Sequence, residues 1–569
     1  MEAAEKFGRK TALLYKRDDV YFPISYQKLS QDSQTFAVAL NKFGLQKGDK
    51  VAVLSENRPE WVAADLGIML AGGVVVPLHT TFSAQAISRI LEHSGAKIII
   101  VSSGALLNKI LLNNNLYSVE KVIFLEQIAA YKEAPLLRGK IFNWDWLLVH
   151  NDSNFHNSMA LRPNDACSIV YTSGTTGEPK GVMLTHNNFL SNVQAVAQII
   201  AVKTSDIFLS FLPLSHVLER LAGYYIPLLS GAAIAYAESI KQLTSNLKEV
   251  KPTILISVPR IFEKMHEAVW EKVKTSPQKK RIFIWALRQK GSGFRHKIAD
   301  YLVFKKIRAQ LGGRLRLTVS GGATLNEKIG RFFHKIGLTV LEGYGLTETS
   351  PVVAVNREND FKFGAVGKVI PGVDIKISAG KEVLVKGPNV FKGYYKNQEA
   401  SEAAFDENGW FKTGDLGFLD NDGFLTIIGR QKEVIVTSGG KNVWPEAVES
   451  ELNRDRFIAN SMILGDKQKF IAALIVPDWL KVEQFFRENN LPLQTPERLI
   501  NSKALLNLFQ QRLDEKINPN LSDYERIRSF KLLARDFSQE QGELTPTLKL
   551  RRHIIEQHFK DEIDELFSD

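Results

Sequence analysis

The chain has 569 residues, 44% of them hydrophobic and 24% charged, with a formal net charge of +11. This length favours two or more domains with packed cores, and the composition is typical of a globular protein in aqueous solution. The single cysteine, Cys167, excludes an intramolecular disulfide, and its apolar neighbours indicate a buried, unreactive thiol. The polar opening sequence is unlike a secretory signal, so a reducing, cytoplasmic location is expected.

Two long apolar windows lie at 61–80 and 222–237. The first contains Asp65, and the second is shorter than a bilayer span requires. Both therefore predict buried helix–strand units. From the N-terminus to about residue 430, apolar strands alternate with helical stretches, which predicts an α/β fold with parallel sheets flanked by helices.

The stretch YTSGTTGEPKG at 171–181 lies between two apolar strands. Its glycines allow backbone N–H groups to converge on an anion, and Thr172, Ser173, Thr175 and Thr176 add hydroxyl donors. Because Lys180 adds a full positive charge, polyphosphate is the anion that best fits this loop. The spacing matches neither GxxxxGK[ST] nor GxGxxG, and a plain linker of small residues is the alternative interpretation.

The segment 272–316 is strongly basic and contains one acid, Asp300. The sequence RIFIWALRQK at 281–290 adds bulky apolar residues to the lysines and arginines. One interpretation is a solvated surface helix with an apolar inner face, and the other is contact with an anionic membrane surface. Nucleic acid is not an expected partner, because no recognition module such as a zinc knuckle or an aromatic RNP strand is visible.

Residues 314–345 predict a strand–helix–strand unit with parallel strands. Helical spacing at 326–337 separates two apolar strands that end in the glycine turns SGGA and EGYG, where open α/β sheets bind ligands. Further along, 461–479 predicts a hairpin of two strands around Gly465 and Asp466. We expect a small α+β domain from about residue 431 to 569, joined to the preceding domain through the loop GRQKE at 429–433.

An ordered set of motifs resembles the AMP-forming acyl-CoA synthetase family, within the adenylate-forming superfamily. The 171–181 loop resembles the family's phosphate loop, and VPRIFEK at 258–264 and the ending PTLKLRR resemble its long-chain fatty acyl subgroup. The remaining motifs are PLSHVLER (213–220), VSGGA (319–323), EGYGLTETSP (342–351), WFKTGDLG (410–417), GRQKEVIVTSGGKNVWP (429–445) and LTPTLKLRR (544–552). The resemblance spans most of the chain. It implies a large adenylate-forming domain at 1–429, a hinge at 430–433 and a small mobile α+β domain at 434–569.

The resemblance implies a first reaction in which a fatty acid carboxylate attacks the α-phosphate of ATP. Two anions meet in this step, so cations must offset their repulsion. Thr347 would donate to the α-phosphate, and Glu348, together with Thr175, would bind Mg²⁺, although a Glu after Thr is also a common helix cap. The residues assigned to the β- and γ-phosphates are Thr172, Ser173, Gly174, Thr175, Thr176, Gly177 and Lys180.

The nucleoside would be held by three further motifs. Tyr344 would stack on adenine, with the backbone of the SGGA turn on the other face, and Asp415 would accept hydrogen bonds from both ribose hydroxyls. Arg430 would join Asp415 at the ribose. Without the surrounding motifs, Tyr344 would be interpreted as a core residue and Asp415 as a turn residue. The SGGA and EGYG positions assigned to the nucleotide are Gly321, Gly322, Ala323, Glu342, Gly343, Tyr344 and Gly345.

Lys549 is the residue that the resemblance assigns to the reacting centre, as a cation between carboxylate and α-phosphate. The commoner family ending has Ser-Gly before this lysine, whereas this chain has Thr547 and Leu548. A surface lysine among basic neighbours is the alternative interpretation. His216 would line the passage to the acyl group and the thiol; alone, it would be read as a core histidine.

A second reaction would transfer the acyl group to coenzyme A. The family rotates its small domain between the two steps, and Lys432 corresponds to the pivot. Ser438, Gly439, Gly440 and Lys441 would then lie beside the pantetheine chain. Three alternatives stay open: transfer to a carrier protein, a non-catalytic nucleotide- or lipid-binding relic, and a luciferase. Acyl length and oligomeric state are not predicted.

Overall fold

The computed structural model describes residues 2–111, 118–126, 139–152, 155, 160–173, 179–289, 293–545 and 548–567. The predicted α/β class with parallel sheets is confirmed, because two large sheets each contain a continuous run of parallel strands. Strands such as Val74–Leu78, with every residue buried, have the unbroken apolar sequence typical of parallel strands covered on both faces.

The first large sheet has nine strands, and the six from Val340–Gly345 to Thr11–Arg17 are parallel to one another. In spatial order the strands are Lys368–Val369, Val352–Val355, Val340–Gly345, Leu317–Ser320, Ile254–Ser257, Ile207–Ser210, Ala233–Tyr236, Thr11–Arg17 and Val20–Ser25.

The second large sheet has eight strands, and the six from Ala166–Ser173 to Ile141–Asn143 are parallel. In spatial order the strands are Gly393–Tyr394, Pro179–Thr185, Ala166–Ser173, Val74–Leu78, Lys50–Leu54, Ile98–Val101, Lys121–Phe124 and Ile141–Asn143.

Three smaller sheets lie later in the chain. A four-stranded sheet contains Asp374–Ile377, Glu382–Lys386, Phe411–Leu419 and Leu425–Arg430, in that order. A two-stranded sheet pairs Ile435–Val436 with Asn442–Val443. The third sheet has the order Ile458–Leu464, Ile471–Pro477 and Ile527–Leu532, and its first two strands form the antiparallel hairpin that was predicted around Gly465 and Asp466.

Helices account for much of the remaining described chain. The α-helices are Glu2–Phe7, Tyr26–Lys42, Pro59–Leu70, Ala84–Ser94, Gly104–Leu111, Trp144–Val149, His186–Ala197, Ile226–Ser230, Leu243–Val250, Pro259–Lys274, Pro277–Arg288, Phe294–Ala299, Lys305–Gln310, Glu327–Lys335, Gln398–Ala403, Pro445–Leu452, Trp479–Glu488, Pro496–Leu499, Lys503–Arg512, Arg552–His558 and Lys560–Phe567. Three π-helical turns lie at Glu219–Tyr225, Asp300–Phe304 and Leu513–Ile517, and 3₁₀ turns at Thr347–Thr349, Gln431–Glu433 and Asn518–Asn520.

The predicted parallel unit at 314–345 is confirmed. Its helix Glu327–Lys335 begins at Asn326, whose side chain accepts a hydrogen bond from the Lys328 N–H, and it is followed by Gly337 at φ +83°. The strands on either side pair in parallel, with Ser320 opposite Glu342. The two glycine turns therefore follow the carboxyl ends of neighbouring strands, as expected.

The described chain divides into two compact units. The first contains Met1–Lys376, Leu384–Thr413 and Phe418–Thr426, and the second contains Ile377–Val383, Gly414–Gly417 and Ile427–Asp569. Each unit has its own buried apolar clusters, exemplified by Trp61 and Ile100 in the first unit and by Ile475 and Phe509 in the second. Both apolar windows, 61–80 and 222–237, form helix–strand units as predicted.

Candidate active site

In the first unit, the phosphate loop is the turn of an antiparallel hairpin. Strands Ala166–Ser173 and Pro179–Thr185 pair so that Thr172 lies opposite Lys180. The strands that the sequence predicted on both sides of the loop are therefore present. Gly174, Thr175, Thr176 and Gly177 lie outside the described residues, as does the side chain of Ser173.

Lys180 and Glu348, which the sequence assigned to phosphate and Mg²⁺, both contact Tyr394. The Lys180 Nζ atom lies 5.0 Å from the centre of the Tyr394 ring. The Tyr394 hydroxyl donates a hydrogen bond of 2.9 Å to Glu348 Oε1. Burial, followed by the Glu348 charge, raises the pKa of Tyr394, so this hydroxyl remains a donor. A cation and a carboxylate from separate elements are thus positioned by one tyrosine.

Tyr394 was missed in the sequence. It lies on the short strand Gly393–Tyr394, which pairs with Met183 and Val182 of the hairpin that carries Lys180. A tyrosine after glycine carries no chemical signal by itself. Only the pairing of strands separated by about 210 residues brings it to Lys180.

The glycine turns at the ends of the parallel strands are held by Glu342. This carboxylate is buried, and its Oε2 atom accepts a hydrogen bond of 3.2 Å from the Leu325 N–H, just beyond Gly321, Gly322 and Ala323. Burial raises the pKa of Glu342 to about 7. Glu342 therefore positions the SGGA turn. The sequence predicted only a nucleotide-binding role for Glu342 and not this structural one.

Glycines in these turns allow other segments of the chain to approach the backbone closely. A Cβ atom at Gly321 would lie 3.1 Å from Leu218 Cδ2, so the SGGA turn lies against the PLSHVLER segment. At Gly345 a Cβ atom would collide with the Pro351 carbonyl, so no larger residue fits there. Tyr344, Thr347 and Glu348 are half-buried at the end of this strand and in the turn that follows.

His216 is half-buried and begins a short helical segment. Its Nδ1 atom accepts a hydrogen bond of 3.2 Å from the Leu218 N–H, and its ring centre lies 6.4 Å from that of His79. Burial, and then the neighbouring His216, lower the pKa of His79 to about 3, so His79 is neutral. Ser215 Oγ and His79 Nδ1 are 2.6 Å apart, which fixes the backbone beside His216.

A buried ionic network follows one helical turn after His216. Arg220 pairs with Asp65, and its NH1 atom donates a hydrogen bond of 2.7 Å to Ser168 Oγ. Asp65 Oδ2 also accepts hydrogen bonds from Tyr224 (3.0 Å) and Tyr225 (2.9 Å). Sequence reasoning used Asp65 only as evidence against a membrane span and missed the network. Removing one partner from a fully buried ion pair strongly destabilises a protein. The network therefore stabilises the helical turn Glu219–Tyr225, which follows His216.

In the second unit, three predicted residues are brought together. Arg430 Nε lies 3.0 Å from Asp415 Oδ1, and Asp415 is almost completely buried. Burial lowers the pKa of Lys549, and the Arg430 charge lowers it further, whereas Glu446, Asp415 and Glu433 act to raise it. Lys549 thus lies in a polar, enclosed setting beside the Asp415–Arg430 pair, unlike an ordinary surface lysine.

The turn that carries Lys549 is tightly hydrogen-bonded. The Thr545 N–H donates to the Lys549 carbonyl (2.8 Å), and the Lys549 N–H donates to Thr545 Oγ1 (2.9 Å). Leu548 adopts φ +64°, a left-handed conformation that favours glycine. This is the position at which the commoner family ending has glycine, and Leu548 is strained in this conformation.

Lys432 and residues 438–441 are exposed. Lys432 lies in the 3₁₀ turn Gln431–Glu433, and Ser438, Gly439, Gly440 and Lys441 form the turn between Ile435–Val436 and Asn442–Val443. The Lys441 N–H donates to Thr437 Oγ1 at 3.2 Å.

Glu348 suits a site for a hard cation, because Mg²⁺ prefers carboxylate oxygen and is commonly held by one or two carboxylates together with substrate phosphates. Within the described ranges, no group of three or more His, Cys, Asp or Glu side chains is arranged to hold a metal ion. An all-protein metal cage is therefore absent from the described part of the chain, and Glu348 would need phosphate oxygens to complete the coordination.

Comparison with known proteins gives the family. The AMP-binding enzyme family matches residues 1–395, and the AMP-binding enzyme C-terminal domain matches residues 432–569. The chain belongs to the AMP-binding enzyme family, as the ordered motifs predicted.

Two relatives show how far the likeness extends. The chain is 35% identical to the long-chain-fatty-acid–CoA ligase FadD15 of Mycobacterium bovis, over 98% of this chain and 94% of that protein. It is 32% identical to the long-chain-fatty-acid–CoA ligase ACSBG2 of Mus musculus, over 100% of this chain and 92% of that protein. The adenylation domain of a carboxylate reductase from Mycobacterium chelonae has the same fold, with a TM-score of 0.82, 21% identity, and coverage of 100% of this chain and 90% of that chain.

Proposed function

We propose that this chain is an ATP-dependent ligase that converts a fatty acid, of long chain length, into its coenzyme A thioester, with AMP and pyrophosphate as the other products. The observation that carries the proposal is the placement of Lys180 against the ring of Tyr394 and of Glu348 at its hydroxyl. A cation suited to phosphate and a carboxylate suited to Mg²⁺ thus contact the same tyrosine, in a chain that resembles long-chain-fatty-acid–CoA ligases over its full length.

In the first reaction, the fatty acid carboxylate attacks the α-phosphorus of ATP and pyrophosphate leaves. Lys180 binds the β- and γ-phosphates, and Thr347 donates to the α-phosphate. Lys549 offsets the repulsion between carboxylate and phosphate, and Asp415 with Arg430 binds the ribose. Bound at Glu348, Mg²⁺ would supply positive charge to the phosphate oxygens.

In the second reaction, the thiol of coenzyme A attacks the acyl carbonyl, and AMP leaves with the bond electrons. His216 lines the passage for the acyl group and the thiol. Exposed glycines at 439 and 440 allow a slender chain to approach the backbone closely. Lys432 serves as the pivot of a hinge at 430–433. Rotation of the small domain about this hinge replaces Lys549, which the first reaction needs, with the turn 438–441, which the second reaction needs. We propose the cytoplasm as the compartment, because a single buried cysteine is consistent with a reducing environment.

A direct test is incubation of the purified chain with ATP, Mg²⁺, a series of fatty acids of increasing length, and free coenzyme A. We expect equal amounts of AMP and acyl-CoA, with the fastest turnover for long chains. Pyrophosphate release with no thioester until a phosphopantetheinylated carrier protein is added would favour the carrier-protein alternative. Binding of ATP or fatty acid without pyrophosphate release would indicate a non-catalytic relic.

A further inference from the structure

The basic segment exposes bulky apolar side chains on two neighbouring helical stretches. Phe294 is 79% exposed and Tyr301 69% exposed, which makes them the most exposed aromatic side chains among the described residues. Leu302 (45%), Ile282 (48%) and Trp285 (37%) are also exposed. We call these five residues the apolar face. Single exposed apolar residues are ordinary, but five within 21 residues form a patch that needs an explanation.

Packing of the core does not explain the apolar face. The helix Pro277–Arg288 and the continuous helical stretch 294–310 contact each other, and Phe283, Ala286, Ala299 and Phe304 bury their side chains in a shared cluster. Ile282 and Trp285 lie three positions apart, and Phe294 and Tyr301 seven positions apart, so each pair shares one side of its helix. These helices therefore present an outer apolar side in addition to the buried one.

Cations surround the apolar face. Exposed basic residues on the two stretches are Lys279, Lys280, Arg281, Arg288, Arg295, Lys297, Lys305 and Lys306. The one acid between residues 272 and 316 is Asp300, whose Oδ1 atom lies 2.6 Å from Arg308 NH1. Because this acid is already paired, the surface carries a large positive excess. Lys305 Nζ lies 5.6 Å from the Tyr301 ring centre, so cation and aromatic groups are interleaved.

We propose that the apolar face and its surrounding cations dock the protein on an anionic phospholipid bilayer. Aromatic and aliphatic side chains enter the boundary between head groups and acyl chains, while lysines and arginines bind lipid phosphates and carboxylates. The contact is peripheral: of the helices in the described ranges, none is both long enough and apolar enough to cross a bilayer. Nucleic acid would attract the cations but would leave the apolar side chains in water.

The docking does not depend on the proposed reaction, so it can be measured without substrates. The full chain is mixed with vesicles of phosphatidylcholine alone, or of phosphatidylcholine with phosphatidylserine, and sedimented. We expect binding to the anionic vesicles, weakening as ionic strength rises, and little binding to the zwitterionic ones. Equal binding to both vesicle types, or binding to neither, would overturn the proposal.

Two double variants separate the apolar from the ionic contribution. Phe294→Ser with Tyr301→Ser is expected to weaken binding at least tenfold while keeping its dependence on salt. Lys297→Gln with Lys305→Gln is expected to weaken binding to anionic vesicles about 25-fold at low salt, because each basic residue near such a surface contributes about fivefold. Thermal unfolding verifies that both variants remain folded.

Matched controls lie outside the segment. Val149→Ser removes an apolar side chain that is 78% exposed, and Lys42→Gln with Lys376→Gln removes two exposed lysines. We expect both controls to bind vesicles within twofold of the unmodified chain. Loss of vesicle binding in the controls would contradict a localised surface. A variant that changes the molar mass in solution without changing vesicle binding would assign the apolar face to a protein interface instead.

Discussion

At the scale of single residues, one tyrosine connects the two charged groups that are proposed to bind the phosphates and Mg²⁺. Tyr394 donates to Glu348 Oε1 at 2.9 Å and places its ring 5.0 Å from Lys180 Nζ. A hydrogen bond to a charged group contributes more than a neutral one, and the ring supplies a second, electrostatic contact with the ammonium. Tyr394 therefore acts as a positioning residue for a cation and a carboxylate.

Replacing Tyr394 with Phe keeps the ring beside Lys180 and removes the hydroxyl from Glu348. We expect the KM for Mg·ATP to rise about tenfold and the concentration of Mg²⁺ needed for half-maximal rate to rise with it. Because activity alone could fall for other reasons, the dissociation constant of Mn²⁺ from the enzyme–nucleotide complex should be measured as well.

The control for this substitution is Tyr395→Phe. Tyr395 follows directly in the chain, and its ring is contacted by Lys50 and Lys396, each at 5.3 Å, instead of by Lys180. We expect no change in metal dependence for this control. Equal effects of the two substitutions would show that Tyr394 contributes only to packing.

At the scale of elements, periodicity and glycine placement were sufficient to predict the parallel unit at 314–345 and a hairpin at 461–479, whose strands are observed at Ile458–Leu464 and Ile471–Pro477. Both depend on residues close in sequence. The pair of Arg220 with Asp65 joins residues 155 positions apart, and no local pattern encodes such a contact. The motifs assigned Asp415 and Arg430 to the ribose and Lys549 to the reacting centre. The burial of Asp415 and Lys549 and the ion pair between Asp415 and Arg430 became visible only in the folded unit.

The π-helical turn Glu219–Tyr225 buries a carboxyl group, which predicts a particular dependence of stability on pH. Burial raises the pKa of Glu219 to about 8, with buried Tyr236 nearby, and Gly223 leaves the space for its side chain. The folded state therefore binds a proton that the unfolded state has lost. The stability that this group contributes is fully present below pH 4.5 and is lost as pH rises to about 8.

The substitution Glu219→Gln tests this dependence, because glutamine stays neutral at every pH. We expect the free energy of unfolding of the unmodified chain to fall between pH 5 and 8 by a few kcal/mol more than that of the variant. Denaturant unfolding at a series of pH values measures the difference. Parallel stability curves for the two proteins would mean that Glu219 is ionised in the folded state.

At the scale of the whole molecule, the proposed two-step reaction requires one chain to serve two chemistries. Lys549 lies beside the Asp415–Arg430 pair, whereas the turn 438–441 is exposed. This arrangement fits a protein in which one set of groups serves adenylation and another set serves thioester formation. The hinge at 430–433 is the proposed link between the two states.

Lys432→Pro tests the hinge, because proline fixes φ at the proposed pivot. We expect one half-reaction to keep a rate within threefold of normal and the other to fall at least a hundredfold. Pyrophosphate release and thioester formation from supplied acyl-AMP should be timed separately. The neighbouring substitution Gln431→Ala, which leaves backbone rotation free, is the control. Unchanged rates of both half-reactions in Lys432→Pro would remove Lys432 from the pivot role.

The most direct test of the account is the pair of half-reactions in Lys549→Ala. A cation between carboxylate and α-phosphate is needed only while adenylate forms, so pyrophosphate release from ATP and fatty acid should fall by at least a thousandfold. Thioester formation from supplied acyl-AMP and coenzyme A should stay within threefold of normal. Equal loss of both half-reactions, or normal release of pyrophosphate, would contradict the assignment of Lys549 to the adenylating centre.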